Sequence, residues 1–224
     1  METIKLTNIN KSFGESQNKF KVLNNINFTA NAGELIIITG PSGSGKSTLL
    51  TIMGALRNPD SGSVELMDTH VDQLKSKAKD QFRLNKLGFI LQAHDLVPFL
   101  TVQEQFTLVN KVRPQGNMTQ AQLAKLLSQL NLDSVVDHFP NELSGGQSQR
   151  VTIARGLYTK PDIILADEPT AALDSKRVTE VCQLLSDLAK KEQKTVIVVT
   201  HDDRVNQYAD HIYNLVDGNL SLLK

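Results

Sequence analysis

Two kinds of hydrophobic pattern run along this chain. Residues 4–9, Ile4-Lys5-Leu6-Thr7-Asn8-Ile9, show the alternation of a strand with one wet face, and a second strand-like run covers residues 23–28 before the turn signal Asn31-Ala32-Gly33. Leu35-Ile36-Ile37-Ile38-Thr39, Ile163-Ile164-Leu165-Ala166-Asp167 and residues 195–200 are instead apolar throughout, the pattern of strands buried on both faces. Residues 64–67, Gly88-Phe89-Ile90-Leu91-Gln92, and the last segments 212–216 and 220–222 read as further strands.

The helical positions repeat differently. Leu49, Ile52, Met53 and Leu56 share one face of a helix that the turn Asn58-Pro59-Asp60-Ser61-Gly62 closes. Val178, Val181, Cys182, Leu185 and Leu188 predict a helix over about 176–190, which makes Cys182 a buried small hydrophobe. Thr119 and Gln122 have capping-box spacing ahead of Leu123, Leu126, Leu127 and Leu130. Residues 92–141 read mostly as helix and loop. Strands alternating with helices predict an α/β fold with a largely parallel sheet covered on both sides. The expected organisation is one domain over 1–224, with a core from 1–92 and 160–224 and a helical block over about 93–159.

Composition narrows the classes. With 24 Lys+Arg against 24 Asp+Glu the formal net charge is +0, which argues against non-specific nucleic-acid binding. No apolar run approaches the roughly 20 residues of a membrane span. Met1-Glu2-Thr3 begins neither a basic nor an apolar leader, so a cytoplasmic chain without a signal peptide is expected. One cysteine excludes an internal disulfide, and scattered histidines at 70, 94, 138, 201 and 211 predict no zinc site.

Three segments carry chemistry. Gly40-Pro41-Ser42-Gly43-Ser44-Gly45-Lys46-Ser47-Thr48 lies between a strand and a helix and fits G-x-x-x-x-G-K-[ST]. Such a loop turns successive N–H groups toward phosphates at a helix N-terminus, Lys46 supplies a mobile positive charge, and the Ser47 hydroxyl suits Mg²⁺. Four apolar residues deliver Asp167 and Glu168 to the carboxyl end of a buried strand, where ligands of parallel sheets bind. There Asp167 is a candidate Mg²⁺ ligand and Glu168 a candidate to orient and deprotonate water. Ser144 and Gln147 have capping-box spacing at the start of a helix, and Gly145 and Gly146 leave its first turn bare, which makes a second anion site. One ATP does not need two cradles from one surface.

Leu143-Ser144-Gly145-Gly146-Gln147, placed after the phosphate loop and before the acidic strand end, resembles the signature segment of the ATP-binding cassette family, and the resemblance spans essentially the whole chain. It implies a P-loop ATPase core with an N-terminal antiparallel β subdomain and an inserted α-helical subdomain. It further implies ATP and Mg²⁺ as ligands and a head-to-tail dimer in which each ATP lies between one subunit's phosphate loop and the other's Ser144, Gly145, Gly146 and Gln147. By the same resemblance Gln92 is the Q-loop glutamine near Mg²⁺ and water, and His201 the switch histidine at the γ-phosphate. Phe13 stands where an adenine-stacking aromatic is usual, and Asp174 closes a D-loop that has Ala171 in place of Ser. Such ATPases drive separate integral membrane permeases from the cytoplasmic face of the membrane.

Residues 91–101 look like the lipoprotein-release, macrolide-efflux and cell-division group, and residues 102–109 with Tyr208-Ala209-Asp210 are most similar to small bacterial heme-efflux ATPases. Leu96, Val97, Phe99 and Leu100 either receive a permease helix or pack inside the helical block. Two alternatives share the motifs: a division-type ATPase that transmits force without moving substrate, and a soluble cassette ATPase acting on nucleic acid or ribosomes, which the single motif set, the lack of heptads and the balanced charge disfavour.

Overall fold

The structure, a computed structural model, describes residues 1–14, 18, 20–92 and 95–224. In chain order the elements are β1 (Glu2–Phe13), β2 (Phe20–Asn31), β3 (Leu35–Thr39), α1 (Lys46–Met53), β4 (Ser61–Leu66), β5 (Thr69–His70), α2 (Ser76–Lys86), β6 (Leu87–Ile90), α3 (Val102–Val112), α4 (Gln120–Gln129), α5 (Gly145–Tyr158), β7 (Ile163–Asp167), α6 (Ser175–Glu192), β8 (Thr195–Val199), β9 (His211–Val216) and β10 (Asn219–Leu222).

They form two sheets. β2, β1, β4 and β5 make an antiparallel sheet in that order, and a second sheet runs β10-β9-β3-β8-β7-β6. Within the second, β3 pairs in parallel with both β8 and β9, and β7 in parallel with β6 and β8, whereas β10 returns antiparallel to β9. The expected α/β architecture is therefore present, including the antiparallel N-terminal sheet.

The wholly apolar strands explain how this packs. In β3, Ile36 and Ile38 point into a core shared with Ile4, Leu6 and Ile26 of the antiparallel sheet and with Leu49, Ile52 and Met53 of α1. Leu35 and Ile37 point the other way, into a core built from α3, α4, α5 and α6 that includes Phe106, Leu126, Val151 and Cys182. A strand between two cores has no wet face, so it shows no alternation in sequence.

Several elements differ from expectation, β1 and β2 being longer than the runs 4–9 and 23–28 that predict them. Helix α1 ends at Met53, with Gly54 as its C-cap, so Leu56 leaves the helix face and is 48 % exposed. Ser61 and Gly62 open β4 and are not merely a turn. The helix α2 was not anticipated, because its sequence buries no side chain and so carries no apolar stripe. The capping boxes at Thr119–Gln122 and Ser144–Gln147 are both formed. Among the described residues, no helix is long and apolar enough to cross a membrane.

Candidate functional site

The loop between β3 and α1 forms the floor of the site. Gly40 has φ 141°, and a Cβ there would stand 2.1 Å from the Leu215 carbonyl oxygen, so a side chain is excluded where the loop passes β9. Gly45, at φ 104°, is the N-cap of α1 and supplies no side-chain cap, which leaves the first N–H groups of the helix facing the loop. Lys46 is buried, and its Nζ donates to the carbonyls of Gly40 at 2.8 Å and Pro41 at 2.7 Å.

β7 carries the acids to the same place. Asp167 is buried; burial raises its pKa above the ordinary carboxylate value, opposed by the nearby Ser47 hydroxyl and helped by the neighbouring charge of Glu168. Glu168, the next residue, sits at φ 49°, a sparsely populated conformation for a residue with a side chain. Its N–H bonds the Val199 carbonyl at 2.8 Å, which prolongs the β7–β8 ladder by one residue. One carboxylate oxygen lies 2.7 Å from His201 Nδ1, and the other accepts the Thr200 hydroxyl at 2.9 Å. That bond to Glu168, and then its charge, raises the His201 pKa above the ordinary histidine value. Thr200 Oγ also accepts the Asp202 N–H at 3.0 Å, and Asp202 in turn accepts the Thr170 hydroxyl.

Around this floor opens a cleft of about 730 Å³, walled by Phe13, Phe20, Val22, residues 40–43 and 45–48, Gln92, Asp167, Glu168 and His201. The structure thus brings together Phe13, most of the phosphate loop, Gln92, Asp167, Glu168 and His201. Gln92 lies two residues beyond β6 instead of ending it. Ser44 is outside the cleft and borders a smaller cavity beside Gly218.

Ser144, Gly145, Gly146, Gln147 and Asp174 do not line the cleft. Ser144 caps α5 by accepting the Gln147 N–H, and Asp174 caps α6 by accepting the Arg177 N–H. Ser144, Gly145 and Asp174 are exposed, and Gly145 has open space around it, with Ala172 Cβ, 4.0 Å from a Cβ position, its nearest neighbour.

The donors available for a cation are all oxygen-bearing: the Ser47 hydroxyl, the Asp167 carboxylate and the Gln92 amide. Among the described residues no cluster of three or more His, Cys, Asp or Glu side chains could hold a metal alone. This set fits a hard divalent ion that completes its shell with phosphate oxygens and water. Sequence reasoning passed over Phe20, which is the cross-strand partner of Phe13, and Thr200, whose hydroxyl touches Glu168. Neither belongs to a spacing pattern; the only signal was position, one at a strand start and one beside His201. Of residues 91–101, Ala93 and His94 lie outside the described residues; Leu96 packs against the helical core, whereas Phe99 is 74 % exposed.

The sequence profile described as ABC transporter matches residues 23–171, two thirds of the chain and its phosphate loop, acids and capped glycine pair together. The chain belongs to the ABC transporter family. This cassette is 43 % identical over 222 residues to the putative hemin import ATP-binding protein HrtA of Staphylococcus haemolyticus, covering 98 % of this chain and 99 % of the relative. It is 44 % identical over 218 residues to a protein of the same description from Staphylococcus epidermidis, covering 95 % and 96 %. Among solved structures it is similar to the bacterial ABC transporter cassette MJ0796 in its dimeric structure, at TM-score 0.91 and 39 % identity over 99 % of both chains. The same cassette, in a post-hydrolysis state bound to ADP and Pi, matches with the same values. The cassette described here is accordingly an ATP-binding ATPase of the ABC type.

Proposed function

We propose that this cassette is the ATP-hydrolysing subunit of a transporter whose permease is a separate membrane protein, and that it works as a head-to-tail dimer at the cytoplasmic face of the membrane. The observation that carries this reading is the separation of the two anion sites. The loop at 40–48 opens into the acid-lined cleft, whereas the capped glycines at 145 and 146 lie outside it, with open space beside Gly145. A second copy of the chain gives that exposed helix end a phosphate to face, in keeping with the dimeric cassette to which the fold is similar.

In this reading the loop N–H groups and Lys46 take the β- and γ-phosphates, and Phe13 stacks on adenine. Ser47, Asp167 and Gln92 hold Mg²⁺, which when bound neutralises phosphate charge. Glu168 accepts a proton from the attacking water, and His201 contacts the γ-phosphate. Lys46 exchanges the Gly40 and Pro41 carbonyls for phosphate oxygens as the nucleotide enters. Asp174 and the Ser144–Gln147 turn belong to the partner-facing surface. Residues 93–159 move as a block on ATP binding, and Phe99, with its exposed ring, contacts the permease.

The cargo we propose is a hemin-class compound, because two relatives above 40 % identity carry that word in their names. The sequence resemblance points to export, whereas the relatives' name says import. Deleting the chain together with its copurifying permease decides: cell-associated heme rises if the system exports and falls if it imports. No change in heme or heme sensitivity overturns the cargo. Glu168→Gln protein that stays monomeric with ATP and Mg²⁺, both alone and with its permease, overturns the dimer.

A further inference from the structure

Phe13, the last residue of β1, carries more than its place on the cleft wall. The guanidinium of Arg57 lies 4.9 Å from its ring centroid and the Lys11 ammonium 5.8 Å. Neither cation lines the cleft, whereas Phe13 and its cross-strand partner Phe20 both do, their centroids 6.2 Å apart. Both cations thus contact the ring without lining the cleft.

The two cations are held differently. Lys11 is bound to Asp60 at 2.6 Å, and Asp60 also takes the Ser12 N–H at 2.7 Å and gives its own N–H to the Asn10 carbonyl at 2.9 Å. Those bonds fasten the end of β1 to the segment that carries Arg57. Arg57 itself makes no ion pair with any described carboxylate, so the Phe13 ring is where its charge is directed.

We propose that Arg57 is a positioning residue for the nucleotide base, acting through Phe13. The inference rests on the reading that Phe13 stacks on adenine. Like-facing aromatic quadrupoles repel, and a cation behind one ring draws density from its front face and weakens that repulsion. The guanidinium also fixes the ring's orientation before the base arrives, so less freedom is lost on binding. Arg57 touches neither base nor phosphate.

The test measures equilibrium binding of ATP and of inorganic tripolyphosphate to the full chain, for wild type, Arg57→Met, Arg57→Lys, Phe13→Ala and Phe13→Ala/Arg57→Met. Arg57→Met weakens ATP by about two- to fivefold, as expected for an exposed cation–π contact, and leaves tripolyphosphate unchanged. Arg57→Lys restores most of the loss, and Arg57→Met has no further effect once Phe13 is alanine. If Arg57→Met leaves ATP unchanged while Phe13→Ala weakens it, the role of Arg57 is overturned and the stacking role of Phe13 stands. If Phe13→Ala leaves ATP unchanged, the stacking reading itself falls. Equal weakening of ATP and tripolyphosphate, or an Arg57→Met effect that persists without the ring, makes Arg57 a phosphate or folding residue and overturns the proposal.

Discussion

Glu168 and His201 meet at 2.7 Å between Oε1 and Nδ1, while Thr200 donates to the other carboxylate oxygen at 2.9 Å. The side chain proposed to deprotonate water is thus held at both oxygens by its own chain, one partner exposed and the other fully buried. Glu168→Gln keeps the shape and removes the basicity. Hydrolysis is expected to fall by about 10²–10⁴-fold while ATP binding is kept. Steady-state ATPase and nucleotide binding on one preparation check this, and a variant within tenfold of wild-type turnover removes Glu168 from the role of base.

The same contact fixes a sign for pH. His201 has its pKa raised, first by the hydrogen bond to Glu168 and then by its charge. A raised folded-state value means that the stabilisation is fully present below the ordinary histidine pKa of about 6.5 and disappears as pH climbs through the raised value. The ring is exposed, so the effect is local and is best read by NMR. The His201 ring is expected to titrate above the ordinary value in the wild type and to move back toward it in Glu168→Gln. Identical titration in both proteins contradicts the pairing.

Much of this was legible in the residues themselves, for a physical reason. A phosphate cradle needs glycines at fixed offsets, and an acid at the end of a strand buried on both faces needs an unbroken apolar run before it, so residues 40–48 and 163–168 announce both element and chemistry. Capping boxes are equally local, and the two expected at Thr119–Gln122 and Ser144–Gln147 are formed, while a third, Thr101–Glu104 at the start of α3, was passed over. What stayed hidden depends on contacts between distant segments. Nothing near Arg57 in sequence points to Phe13, and Thr200 is an ordinary strand-end threonine until β7 and β8 set it beside Glu168. Helix α2 was invisible because a helix that buries no side chain has no periodic apolar face.

Gly156 tests how α5 is seated on the sheet. A Cβ there would stand 2.6 Å from the Phe89 carbonyl oxygen and 3.0 Å from Ile90 Cγ1, so backbone of α5 and β6 must part to admit a methyl group. Gly156→Ala is expected to destabilise the fold by about 1–3 kcal/mol in urea unfolding, the usual cost of overpacking. Gly145→Ala on the same helix, with its nearest neighbour at 4.0 Å, should change stability by less than about 0.5 kcal/mol. Equal effects at the two positions would mean that α5 sits further from β6 than these distances require.

The open space at Gly145 also allows the shared-site arrangement to be tested without disturbing the fold. A Cβ at that position has only Ala172 Cβ near it, at 4.0 Å, and a negative charge in the first turn of α5 suits the helix dipole. Gly145→Asp should therefore fold normally, and any loss of hydrolysis comes from the phosphates that the helix end faces. Lys46→Ala is expected to lose ATP affinity by about 10–100-fold, because hydrogen bonds to a charged group are removed. Each variant alone should be inactive. A purified heterodimer of Lys46→Ala with Gly145→Asp behaves differently if the site is shared: both lesions fall on one nucleotide, and the other lies between an intact Lys46 and an intact Gly145. Hydrolysis should return in the mixed dimer alone. If every site were completed within one chain, no pairing could restore it, since each subunit would carry its own lesion into its own site.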